Sequence, residues 1–381
     1  MLGNHKVVLN SFCEIYDLLK PYADEEFWDL AENKIVPGAI YLIGRQQFEE
    51  HKHLIQQLLS ARTISAAILC NPAEGSQIIN RMYSLYGIKD MISAGHIVGI
   101  ISGGYLPTDI SYMYHEYFLT LIHNFTENLE AITEYQEKKS TDRPYKFLFL
   151  NGRFRAHRKY LLDSFKHSGL IDQSLWTNLD DVVGNTELLD IKLTENPIQY
   201  LPPKYEVDRY QDRAVAVPPK DHADTFYAKN HLFKKEWGEI YLAPLPYLDT
   251  YFSLVTETVF TYPHSFRTEK IWKPIAMGHP FVVAANSGYY RDLHNLGFQT
   301  FGHLIDESFD QIEDNQHRLE RIAQVVEDLC RQDLPAFITA AEETCKYNQQ
   351  LMTELRPRIL QEFPQRFEQY IHERFNLNHV R

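Results

Sequence analysis

Short apolar runs alternate with stretches of helical spacing along most of this chain. The runs Gly38–Gly44, Ala66–Asn71 and His96–Ser102 are continuously apolar and stop at Gly, Asn or Ser, which predicts buried strands of a parallel sheet. Between them, Phe48–Leu59 and Ser76–Tyr86 carry apolar residues at helical spacing with polar outer faces, so this part of the chain predicts a strand-helix alternation. Val8–Leu30 predicts a helical lead-in and Tyr117–Lys138 one or two long helices, with the polar run Glu137–Pro144 as a linker.

A second alternation starts at Tyr145–Leu150, followed by a helix over His157–Lys166. It continues through the apolar runs Ser174–Thr177, Glu239–Ala243, Tyr251–Glu257 and Phe281–Ala285. The proline-rich stretch Asn185–Asp224 is longer than ordinary connections in a compact domain and reads as an insertion. From Asp310 onward the spacing is helical, without a sustained heptad repeat. The expected fold class is therefore α/β, with Rossmann-like domains at 1–140 and 145–335 and C-terminal helices at 336–381.

Composition narrows the function classes. A net charge of -13 over 381 residues argues against a general binder of nucleic acid or anionic membranes, which would need a basic face. No stretch approaches the roughly 18 consecutive apolar residues of a membrane span, and no basic-then-apolar signal pattern opens the chain, so the expected location is cytoplasmic. The four cysteines, Cys13, Cys70, Cys330 and Cys345, lack metal or disulfide spacing and read as buried thiols. The 24 Tyr and 22 Phe suit stacking on sugar faces, although a large aromatic core explains them equally simply.

Two basic elements stand out against this acidic background. Glu269 and Lys270 fall in the first turn of a short helix carrying Ile271, Trp272, Ile275 and Ala276, which Gly278 ends before a Phe281–Ala285 strand. Unpaired N–H groups and the helix dipole favour an anion there, and Lys270 adds a formal positive charge suited to phosphate; a solvated Glu-Lys pair is the plainer alternative. Three arginines, Arg153, Arg155 and Arg158, crowd the junction after the Tyr145–Leu150 strand, where open sheets bind ligands. Arginine forks hold diphosphate oxygens bidentately, and Arg158 is the first choice for that contact, aided by Arg153 and Arg155.

The segment Thr268-Glu269-Lys270-Ile271-Trp272, followed by Ala276–Val283, resembles the donor-binding signature of α1,3-fucosyltransferases. In that family a Thr-Glu-Lys start, a small-x-Gly-x-Pro stop and a Val-Val strand form part of the nucleotide-sugar site. Glu257 and Thr258, at the end of the preceding strand, stand where the family carries an acid and an Asn; Asn151 and Arg158 resemble its Asn-then-Arg segment entering a helix. Phe266 stands where the family has Tyr, and Pro274 interrupts the helix. The resemblance implies that Glu257 binds the donor ribose, that Glu269 also contacts the donor, and that Lys270 neutralises its phosphates. Thr258, Phe266 and Thr268 would belong to the same donor-binding site. It also implies the two-domain GT-B layout, whose last helices commonly cross back to the first domain.

A metal-using transferase would carry Asp-x-Asp after a strand; the nearest pair here is Asp180-Asp181, so no metal is expected, with Arg and Lys in its electrostatic role. No cofactor is expected beyond the nucleotide sugar as co-substrate. An inverting transfer needs a base for the acceptor hydroxyl, and Glu74, Asp109 and Glu116 follow predicted first-domain strands. Asp109 is favoured, because the Gly103-Gly104 turn before it allows close approach of a ligand. The expected activity is inverting, metal-independent transfer of a sugar, with GDP-fucose the favoured donor, to a glycan or other hydroxyl acceptor. Another UDP- or GDP-hexose donor, or a noncatalytic nucleotide-sugar or glycan binder, are the alternatives.

Overall fold

A computed structural model describes residues 6–73, 86–106, 111–121, 142–151, 155–178, 245–261 and 264–374. The chain forms two compact units, residues 1–117 with 357–381 and residues 118–356. Among the described residues each is an α/β unit built on one all-parallel sheet, of six strands in the first and four in the second. The expected helices Ser76–Tyr86 and Tyr117–Lys138, the strand Glu239–Ala243 and the insertion fall wholly or mainly outside the described residues.

In the first unit the strands are β1 Val7–Asn10, β2 Glu25–Phe27, β3 Ile40–Gly44, β4 Ala66–Asn71, β5 Val98–Ser102 and β6 Tyr112–Tyr114. They lie in the order β2-β1-β3-β4-β5-β6. Every residue of β1, β3, β4 and β5 is buried, as expected of parallel strands covered on both faces. The expected helical lead-in over Val8–Leu30 is instead β1, a short helix Tyr16–Leu19 and β2. Each of these pieces is too short to show a period, and Pro21 sits inside a 3-10 turn, Lys20–Tyr22, that follows the helix. The expected helix Phe48–Leu59 is two, Arg45–Glu50 and Lys52–Ser60, parted at His51. Phe48, Ile55 and Leu59 from this pair join Tyr41, Ile43 and Leu69 in the core.

The chain leaves β1 for β2 on one side and returns to β3 on the other, so the strand order reverses between β1 and β3. Asn10 closes that point: its Oδ1 accepts from Gly44 N at 3.3 Å, while its Nδ2 donates to the Phe27 and Trp28 carbonyls. A Cβ on Gly44 would lie 2.9 Å from Asn10 Oδ1 and 3.0 Å from the Phe12 carbonyl oxygen, so only glycine allows this approach.

The second unit repeats the arrangement with β7 Tyr145–Asn151, β8 Leu175–Asn178, β9 Thr250–Thr256 and β10 Phe281–Ala284, ordered β10-β9-β7-β8. Its reversal lies between β7 and β9. There again an Asn ends the first strand and is bonded across the gap, Thr256 Oγ1 donating to Asn151 Oδ1 at 2.6 Å. Beyond β10 come the helices Tyr289–Asn295, Asn315–Leu329, Leu334–Ala340 and Glu342–Arg374.

The second unit extends to Arg356, past the 335 expected from the α/β pattern, because the start of the last helix is bonded into it. Gln349 Nε2 donates to the Ala276 carbonyl at 2.8 Å, and Asn348 exchanges two hydrogen bonds with the Gln299 backbone. From Pro357 the same helix belongs to the first unit, which breaks off at Tyr117 and not at the polar run near 140. Tyr370 shows why: its hydroxyl accepts from Ile100 N at 3.0 Å and donates to the Ser111 carbonyl, standing in for a ladder rung where β6 has not yet begun. No described helix is long and apolar enough to cross a membrane.

One acid of the second unit makes its stability depend on pH. Glu307 accepts from Phe301 N at 2.7 Å and Thr300 Oγ1 at 2.8 Å, and burial pushes its carboxyl up to about 7. The unfolded chain loses this proton near 4.5 and the folded one near 7, so between those values the folded state binds more protons and stability falls as pH rises. Glu307→Gln should remove that fall, a relative gain of about 2 kcal/mol at pH 8 over pH 5. Thermal unfolding of both proteins across this range reads it; a midpoint difference that stays constant with pH would show Glu307 is not the source.

Candidate functional site

The second unit places Arg155, Arg158 and Lys270 near the carboxyl ends of β7 and β9, on either side of the strand-order reversal where open α/β sheets bind ligands. The helix Glu269–Ala276 starts here because Thr268 caps it: the backbone of Thr268 is extended and its Oγ1 accepts from Lys270 N at 3.3 Å. Pro274 does not interrupt this helix, contrary to the sequence expectation. Only the rung from residue 274 to the Lys270 carbonyl is forfeited, and the helix ends two residues later in any case. Gly278, at φ +60, then turns the chain into β10.

Glu257, immediately after β9, lies beneath the cap. Its Oε1 accepts from Thr268 N at 3.0 Å and Tyr289 Oη at 2.9 Å, and its Oε2 accepts from Thr268 Oγ1 at 2.7 Å. It has no solvent exposure, and burial raises its carboxyl above the ordinary range despite the opposing pull of Lys270 and Thr268. Its oxygens are occupied by the protein itself, so in this arrangement Glu257 orients Thr268 and, through it, the first turn of the helix. Thr258 is half-buried beside it, and Phe266 is buried with its ring edge against Phe118.

Lys270 retains more access, with 24% of its side chain exposed. Its Nζ donates to Glu269 Oε1 at 2.7 Å and Thr268 Oγ1 at 3.1 Å. Burial pushes the Glu269 carboxyl up, but Lys270 and Lys273 together outweigh it and hold the group below its ordinary value, as an anion. The Lys270 ammonium is thus held in place at a helix start by two oxygens.

On the β7 side, Arg155 is half-buried at the cap position of the helix Ala156–His167, and its carbonyl accepts from Arg158 N and Lys159 N. Arg158 is buried, its Nη2 donating to the Thr256 carbonyl at 2.9 Å at the end of β9. Burial, reinforced by Arg155, lowers its guanidinium to about 10, while Glu257 and Glu269 act the other way; it remains a cation at neutral pH. Asn151 ends β7 and is spent on Thr256. Arg153 lies outside the described residues.

Sequence reasoning missed His157 and Tyr289. His157 is buried with its ring stacked on Phe260, and Nε2 lies 3.0 Å from the Glu257 carbonyl, which requires the hydrogen on Nε2. Burial, with Arg158 beside it, pushes its pKa well below the ordinary value, so the ring is neutral. Tyr289 opens a helix after a turn at Gly288, φ +78, and that Asn286-Ser287-Gly288 turn was the available signal for it.

Of the three acids expected as base, Glu74 and Asp109 lie outside the described residues. Glu116, in the first unit just after β6, is buried and accepts from the Tyr114 hydroxyl. Compared with known proteins, the chain matches no family model and no curated protein significantly.

Proposed function

We propose that this protein is an inverting, metal-independent glycosyltransferase that uses a nucleotide diphosphate sugar, GDP-fucose first among the candidates, and transfers the sugar to a glycan or other hydroxyl acceptor. The observation that carries this reading is the grouping of Lys270, Arg155 and Arg158 around the β7/β9 strand reversal of an otherwise acidic chain. Fixed cations beside a helix start suit a diphosphate, both in the bound donor and as charge develops on the departing nucleotide. The resemblance of Thr268–Val283 to the fucosyltransferase donor signature supports the choice of donor. Glu257 serves in this reading as a positioning residue for Thr268 and Lys270. The acceptor oxygen attacks the anomeric carbon opposite the leaving diphosphate and needs a base for its proton, the role for which Asp109, Glu74 and Glu116 are the candidates.

A second reading, a nucleotide-sugar binder without turnover, draws on Glu116, whose buried carboxylate is already engaged by Tyr114. A thermal-shift series with GDP, UDP, ADP and CMP tests both. A rise in melting temperature with GDP above the other three is expected. No response to any nucleotide would overturn the proposal, whereas a response without hydrolysis or transfer of GDP-fucose would favour the binder.

A further inference from the structure

The first unit carries an aromatic feature that donor binding leaves unused. Phe12 follows β1 and Trp28 follows β2, so both stand at the carboxyl edge of the sheet, next to the strand reversal between β1 and β3. Their ring centroids are 4.0 Å apart with the planes at 52°. Phe12 is 47% and Trp28 66% exposed, although the unit has a core able to bury Phe27, Tyr41 and Phe48 completely or nearly so. Single exposed apolar residues are ordinary; two large rings kept together on neighbouring loops are not.

The base beneath the rings is fixed. Asn10 Nδ2 donates to the carbonyls of Phe27 and Trp28, Ser11 N and Oγ both donate to the Phe27 carbonyl, and Gly44 leaves room for the Phe12 backbone. The two loops are therefore tied to each other at the backbone, so both rings spring from fixed positions. The surroundings limit what can bind. Of the acids in Pro21–Asn33, Glu25 and Glu26 pair with Lys6 and Lys20 and Asp24 accepts from Val7 N, so Asp29 is the carboxylate next to the rings. A neutral ligand with one apolar face and many hydroxyl donors fits both the rings and that carboxylate. Asp29, next to Trp28, is half-exposed and accepts from Ala31 N at 2.8 Å, with His51 Nε2 3.1 Å from the same oxygen.

We propose that Phe12 and Trp28 form a stacking platform for a neutral pyranose ring, with Asp29 accepting from its hydroxyls. Naming that sugar as part of the acceptor rests on the transferase reading; the platform itself does not. Saturation-transfer NMR on the full chain, with the methyl β-glycosides of galactose, glucose and N-acetylglucosamine as probes, tests it. At least one glycoside should receive saturation on its ring C–H protons, falling fivefold or more in Trp28→Ala and recovering in Trp28→Phe, while the thermal shift given by GDP stays unchanged. No transfer to any of the three, or transfer indifferent to Trp28→Ala in a variant of unaltered melting temperature, would overturn the platform. So would sedimentation showing wild-type dimers that Trp28→Ala dissociates, because the rings would then belong to a second copy. If GDP has no effect while the glycosides still bind through Trp28, the transferase reading falls and the platform stands.

Discussion

Replacing Glu257 by Leu should lower the stability of the second unit by about 4 kcal/mol, the largest effect expected of any single substitution near the site. The carboxylate is fully buried and accepts from Thr268 N, Thr268 Oγ1 and Tyr289 Oη, all within 3.0 Å. Leucine is similar in size but accepts nothing, so donors that cannot reach water are left without their acceptor, each at roughly 1–3 kcal/mol. Part of that loss is recovered by local rearrangement, since the Thr268 hydroxyl can rotate. Glu257→Gln keeps one acceptor oxygen and should cost less than half as much. Thermal unfolding followed by near-ultraviolet circular dichroism compares the three proteins. If Leu and Gln cost the same small amount, the network beneath the helix start does not hold it in place.

Lys270→Ala should weaken GDP binding about 100-fold, close to 3 kcal/mol, with little change in melting temperature. The side chain is partly exposed, and Lys273 still faces the buried Glu269 carboxylate when Lys270 is gone, so the fold loses only part of that group's counter-charge. Its ammonium is positioned by Glu269 and Thr268 before any ligand arrives, which spares a bound diphosphate the cost of ordering it. Calorimetric titration with GDP at two salt concentrations gives the affinity and its electrostatic share. An affinity equal to that of the wild type would remove Lys270 from the donor site.

These two residues also mark what could be read in advance. The short helix Glu269–Ala276, its stop at Gly278 and the strand Phe281–Ala284 were legible, because capping, periodicity and a glycine stop are all local signals. So were β3, β4, β5, β7 and β9, whose apolar runs are long enough to stand out. The edge strands β2 and β6 were not. Glu25-Glu26-Phe27 exposes both acids, and Tyr112–Tyr114 is as brief; only pairing to a neighbour defines such strands. The same holds for the site. Lys270 announces its charge in the sequence, but the occupation of Glu257 by Thr268 and Tyr289 depends on contacts 11 and 32 residues away, which no local pattern encodes.

The return of the last helix to the first unit has a consequence for how the molecule is made. Synthesis delivers residues 1–117 first, yet the segment that completes their unit emerges only after the whole second unit has been translated. Until then Ile100 N lacks the Tyr370 hydroxyl, and the surfaces that Phe363 and Phe367 cover beside His115 and Tyr22 stay bare. The nascent first sheet must therefore wait, incomplete and with apolar surface open to chaperones, for the chain to come back to it.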